Sequence, residues 1–283
     1  IGVAINDLNA IVDRTLASSL VAGSISALNY ANRLNGLILG VFITAITTVI
    51  FPLLSKEFSE DNIKGVKKIM GYGVNLILLI TIPAAVGLIV LSTPIVEVAF
   101  ERGEFDSTAT MMTSKALIFY AIGLVAMSLR LLIDRVYFSL QDTKTPMVNG
   151  VISVVFNIVL NLILVQFMGH AGLALATSIA TTIATLLMFY GLKKKIGSLG
   201  TMSYIKCGIK SGFASAVMGI AAYFIYHELY KILGAAKLYN LIALLAAASS
   251  GIIIYGVLCY ILGIDEVKDI VNKLKLRIIK RKI

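Results

Sequence analysis

Tryptophan is absent from the 283 residues, and cysteine and histidine occur only twice each. Each scarcity excludes a class of chemistry. Cys207 and Cys259 cannot build a disulfide framework, and without further thiols or imidazoles at ligand spacing they make no thiolate metal site. Both fall near expected cytoplasmic helix ends, where free cysteine behaves as a small apolar residue. His170 and His227 have no Cys, Asp or Glu at metal-ligand spacing. Gly-rich phosphate loops, a Ser nucleophile elbow, a His-Glu-x-x-His motif and Asp-rich metal motifs are all missing, so the sequence argues against an enzyme. Charge is also scarce, at 14% of residues, against about 25% in a soluble domain.

What is abundant is apolar sequence: 58% hydrophobic residues and a mean hydropathy of +0.92. With about 20 residues needed per crossing, hydropathy predicts spans near 2–22, 25–54, 70–92, 110–138, 146–167, 171–192, 207–227 and 238–262. The fold class is therefore all-α, a polytopic membrane protein with eight transmembrane helices. Net charge of +10 would suggest nucleic acid for a soluble protein. Here the basic residues lie in loops on alternate sides, seventeen on one side against three on the other, so no nucleic-acid partner is expected. The positive-inside rule puts both ends of the chain in the cytoplasm. With no tryptophan, tyrosines such as Tyr204, Tyr223, Tyr230, Tyr239 and Tyr260 supply the interfacial belts.

Ionisable residues inside the apolar runs are the first functional signal, since an intramembrane charge costs on the order of 2.5–3.5 kcal/mol on insertion scales and normally faces a polar interior. Asp13 and Arg14 lie in the first span and Arg33 in the second. On the second span Asn29, Asn32, Arg33, Gly36, Gly40, Thr44, Thr47 and Thr48 recur at helical spacing and should form one polar face lining a watery cavity. Arg33 is nine residues below Ser24, about 13 Å deep at the helical rise. It suits an anionic ligand such as a phosphate, with Asn29, Asn32 and Arg14 as companions; the alternative is an ion pair with Asp13.

On the fifth span Asn149, Ser153, Asn157 and Asn161 are spaced by four, a stripe fit for interhelical hydrogen bonds. Depth suggests more, because Asp13, Asn157, Asn161 and Thr177 all fall about 9–15 Å below the outer surface. One carboxylate among amide and hydroxyl oxygens is the kind of hard-oxygen site a coupling cation uses. Arg130 and Asp134, an i, i+4 pair followed by Arg135, read as a structural ion pair or a gate. Pro83 interrupts the third span, as a hinge or a static kink. The polar segment Ser59–Lys68 is expected on the inner leaflet. The tail Asp265–Ile283 alternates apolar and basic residues, for topology control or binding to anionic membrane lipids.

Five stretches carry a family resemblance: Val12-Asp-Arg-Thr-Leu-Ala-Ser18, Gly23-Ser-Ile-Ser-Ala-Leu-Asn-Tyr-Ala-Asn-Arg-Leu34, Phe51-Pro-Leu-Leu-Ser55, Glu101-Arg-Gly-Glu-Phe-Asp106 and Gln141-Asp-Thr-Lys-Thr-Pro146. The chain resembles the MurJ (MviN) family of lipid II flippases, within the multidrug/oligosaccharidyl-lipid/polysaccharide exporter superfamily. The resemblance implies fourteen transmembrane helices in the family, of which this chain supplies the last eight. Residues 1–195 would form a six-helix lobe, 196–263 a terminal helix pair with a groove for a lipid tail, and 264–283 a basic amphipathic cytoplasmic tail. An N-terminal lobe of the same protein would complete the cavity.

The resemblance also implies that Arg33 meets the pyrophosphate of lipid II, moved by alternating access across the bacterial inner membrane. Asp13, Asn157, Asn161 and Thr177 would match a sodium site in which Asn161 stands where some relatives have a carboxylate. Na+ would be a coupling ion; no other cofactor is expected. Other readings are an exporter of a different polyprenyl-linked glycan, a cation-coupled drug exporter, or a membrane scaffold for cell-wall enzymes.

Overall fold

The computed structural model describes residues 11–272 apart from 235 and 270. We number the helices α1 (11–18), α2 (Ser24–Ser59), α3 (Ile63–Val90), α4 (Ser92–Phe100), α5 (Ser107–Ser139), α6 (Lys144–Met168), α7 (His170–Ile196), α8 (Thr201–Leu233) and α9 (Lys237–Ile261). Seven of them, α2, α3 and α5–α9, are long and apolar enough to cross a membrane. The expected first span lies partly outside the described residues, so eight crossings are not all seen. Helix α4 is an addition to the expected plan. Helix α3 starts at Ile63, so residues 63–68 of the segment expected on the inner leaflet are helical and continuous with the span. Asn62 caps it by accepting from the Gly65 amide at 3.0 Å, and Asp106 caps α5 through Ala109 at 2.8 Å, satisfying orphan N–H groups at helix starts.

The bundle centres on α5, which contacts α2, α3, α4 and above all α7. Between helices in lipid, close approach and hydrogen bonds replace the hydrophobic drive. At Gly123 an added Cβ would come within 2.7 Å of the Ser178 backbone. Above and below that crossing, α5 and α7 are stitched by hydroxyls: Ser178 donates to Phe119 O at 2.6 Å, Thr185 to Ala126 O at 3.1 Å and Tyr137 to Met188 O at 2.9 Å. One apolar cluster around Leu132, Ile133 and Met188 joins α2, α3, α5 and α7, and a second around Leu117, Leu173 and Val96 joins α1, α2, α4, α5 and α7.

Helix α6 is inverted in pattern. Its buried residues are Pro146, Asn149, Ser153, Asn157 and Asn161, whereas Val155, Val159, Leu162 and Phe167 are exposed. It leans on α7, to which it is joined by the single residue Gly169, whose positive φ of 56° favours glycine.

Helices α8 and α9 pair with each other, α8 also packs on α3, and α9 touches α4. Pro83 has no N–H, so the carbonyl of Leu79, four residues earlier, loses its helical donor. Tyr255 of α9 supplies one: its hydroxyl donates to Leu79 O at 2.8 Å and sits 2.7 Å from Ser211 Oγ of α8. The proline break is thus capped by the terminal pair. Of the expected tail, residues 273–283 lie outside the described residues. Its beginning turns inward: Ile264 is buried, and Glu266 accepts from Asn75 Nδ2 of α3 at 2.5 Å.

Candidate functional site

Helix α2 runs unbroken from Ser24 to Ser59 but widens into a π turn over Leu39–Ile43, where Thr44 Oγ1 donates to Leu39 O at 3.1 Å. Asn29, Asn32, Arg33, Gly40, Thr44 and Thr48 lie exposed along its length. This polar face is left uncovered by the described chain. Thr47 departs from the expected face: it is buried and donates to Ile43 O at 2.9 Å. The extra residue of the π turn shifts the helical register and rotates Thr47 inward.

Arg33 forms no ion pair with Asp13. Its guanidinium lies 5.8 Å from the centroid of the Tyr30 ring, and Tyr30 is itself wedged against Phe100 and Phe105 with centroids 4.6 and 5.2 Å away. An aromatic face favours a nearby cation without neutralising it, so Arg33 keeps its donors for other partners. Asn29, Asn32 and Arg14 line a separate cavity of about 150 Å³, shared with Asp13 and Tyr120.

Asp13 is held by the α6 stripe. Asn161 Nδ2 donates to Asp13 Oδ1 at 2.6 Å and lies 2.8 Å from Asn157 Oδ1, and Asn157 Nδ2 donates to Thr177 Oγ1 at 3.2 Å. Four residues from α1, α6 and α7 therefore converge, as their common depth suggested. Asn161 Oδ1 is buried with no hydrogen-bond partner among the described residues. A buried acceptor left unmatched is costly, and a small hard cation would satisfy it together with the Asp13, Asn157 and Thr177 oxygens. The residues fit such an ion, although no cluster of three or more His, Cys, Asp or Glu exists among the described residues.

Three of these residues, Asp13, Asn157 and Thr177, open onto a cavity of about 280 Å³ lined also by Asn32, Tyr120, Ser153 and Arg130, with Asn161 buried behind it. The expected ion pair of Arg130 with Asp134 is not formed: no described carboxylate lies within 4.0 Å of either arginine, Arg130 or Arg135. Arg130 reaches toward α6, with Nη2 beside Gly150, and Arg135 stacks 5.7 Å from the Phe51 ring. Tyr120, which borders both cavities, was not singled out from sequence, because an aromatic residue in an apolar run carries no periodic signal.

The sequence profile described as lipid II flippase MurJ matches residues 1–244. The chain belongs to that family. Relatives named probable lipid II flippase MurJ include one from Vibrio cholerae, 40% identical over 68% of this chain and 36% of its own length. Another, from Haemophilus influenzae, is 32% identical over 94% of this chain and 53% of its own. The solved lipid II flippase MurJ in an inward closed conformation superposes with a TM-score of 0.74 at 30% identity, over 92% of this chain and 52% of that one. A superfamily transporter from Pyrococcus furiosus, at 16% identity and a TM-score of 0.61, shares the fold. The chain spans about half the length of the MurJ relatives it matches. As a MurJ family member with seven described apolar spans, it is a multi-pass protein of the bacterial inner membrane.

Proposed function

We propose that this chain is the C-terminal half of a lipid II flippase, a carrier that moves a polyprenyl-pyrophosphate glycopeptide from the inner to the outer leaflet. The observation that carries the reading is the polar face of α2, with Arg33 upon it, uncovered by the rest of a chain that matches between 36% and 53% of the reported MurJ relatives. Polar residues inside a span face protein or water, not lipid, so this face is one wall of a cavity that an N-terminal lobe completes. Residues 1–195 would act as the rocking lobe, and α8–α9 would guide the lipid tail. The 17 basic residues on one side support a cytoplasmic position for both ends of this chain.

In this reading Arg33 holds the pyrophosphate, its charge unneutralised over Tyr30, while Asn29, Asn32 and Arg14 contact the polar head. Asp13, Asn157, Asn161 and Thr177 would hold Na+, which when bound neutralises the carboxylate. These residues exclude lipid and orient the head; the two lobes alternate access around them.

The test uses the complete gene product in cells depleted of their own flippase. Wild type should restore growth and lipid II exposure at the outer leaflet, Arg33→Ala should fail while inserting normally, and Arg33→Lys should rescue in part. Full rescue by Arg33→Ala would sink the proposal.

A further inference from the structure

We infer that Arg130 is a second anion-binding residue of this carrier, receiving a phosphate or carboxylate oxygen of the transported molecule in the cavity between α5, α6 and α7. The inference rests on the carrier reading above but concerns a different helix from Arg33.

Arg130 is half-buried nine residues from the inner end of α5, about 13 Å along the helix, well inside a span. Its side chain borders the cavity of about 280 Å³. Arg130 Nη2 packs against α6 at Gly150, where even an added Cβ would sit in ordinary contact at 3.6 Å. No carboxylate among the described residues lies within 4.0 Å. Asp134 is on its own helix one turn away, and Asp13 is engaged by Asn161 at 2.6 Å. Along α6, Gly150 and Asn157 are seven residues apart, so Arg130 and the Asp13 cluster occupy opposite ends of the cavity, about 10 Å apart.

An arginine in a span is rare unless paired, and its planar fork matches the oxygens of phosphate and carboxylate. Water in the cavity hydrates the guanidinium when empty, and an anionic group that displaces it gains charge-assisted hydrogen bonds in a medium that screens poorly. The neutral donors Ser153, Asn32 and Thr181 on the same walls suit a polar head and add no competing negative charge.

The test measures binding to the complete gene product in nanodiscs, for wild type, Arg130→Gln and Arg130→Lys. Three probes are used: the polyprenyl-pyrophosphate disaccharide with its peptide, the same lipid without the peptide, and the polyprenyl alcohol. Arg130→Gln should weaken the peptide-bearing lipid at least tenfold, Arg130→Lys less, and the alcohol should be unaffected. Loss for both pyrophosphate lipids assigns the oxygen to phosphate; loss only with the peptide assigns it to a peptide carboxylate. Unchanged binding by Arg130→Gln overturns this inference alone, whereas wild type that binds no probe overturns the carrier reading with it. If Arg130→Gln lowers ligand-free melting while binding per folded molecule is unchanged, Arg130 serves the fold alone and the inference fails.

Discussion

Asn161 is the residue on which the cation reading turns. It donates to Asp13 and leaves its own oxygen unmatched. Asn161→Asp adds a second carboxylate beside Asp13; like charges at that range cannot both stay ionised without a cation between them. The variant should therefore show a larger Na+-over-K+ shift in melting temperature than wild type, and Asp13→Asn should abolish the shift. Outside the membrane, burial alone would raise the Asp142 carboxyl, but the Lys195 ammonium at 2.8 Å and Thr145 hold it down at about 2, from 3.8. Its depressed value means the stabilisation is complete above about pH 4 and is lost as pH falls through about 2. Lys195→Gln should melt lower than wild type at pH 6, and the gap should close in strong acid, read by thermal scans across pH. The convergence of Asp13, Asn157, Asn161 and Thr177 was legible from depth alone. The orientation of Arg130 was not, since i, i+4 spacing says two side chains can meet but not that a neighbouring helix offers more room.

Most spans were legible too, within a few residues at each end, because twenty apolar residues leave little choice of structure in lipid. Helix α4 was not: nine residues with Pro94 in the first turn look like a loop in hydropathy. Nor could sequence show what answers Pro83, because the donor, Tyr255, is far along the chain. That contact gives a double-mutant test. Tyr255→Phe strips the donor from the Leu79 carbonyl inside a span, at a cost of about 1–3 kcal/mol. Pro83→Ala restores a backbone N–H to the same carbonyl, so Tyr255→Phe should cost much less in that background. Equal costs in both backgrounds, measured by unfolding in detergent, would show that Tyr255 has no share in capping the break.

For the whole molecule, the fold puts polar and apolar surfaces in opposite places on two helices: α6 buries Asn149, Asn157 and Asn161, while α2 bares Asn29 and Asn32 and buries only Asn35. With Cys207 and Cys259 replaced, single cysteines at Gly36 and Gly40 should react with a water-soluble thiol reagent, and one at Val159 on the apolar face of α6 should not. Equal labelling would mean that α2 does not front water. The single-residue turn at Gly169 has a mechanical consequence as well. Asn157, Asn161 and Thr177 ride on one hairpin, α6 and α7, and keep their spacing however the bundle shifts. Only Asp13, on α1, arrives from elsewhere. Any displacement of α1 from the hairpin would carry Asp13 away from the other three oxygens, so the hairpin would act as one plate of a clutch and α1 as the other.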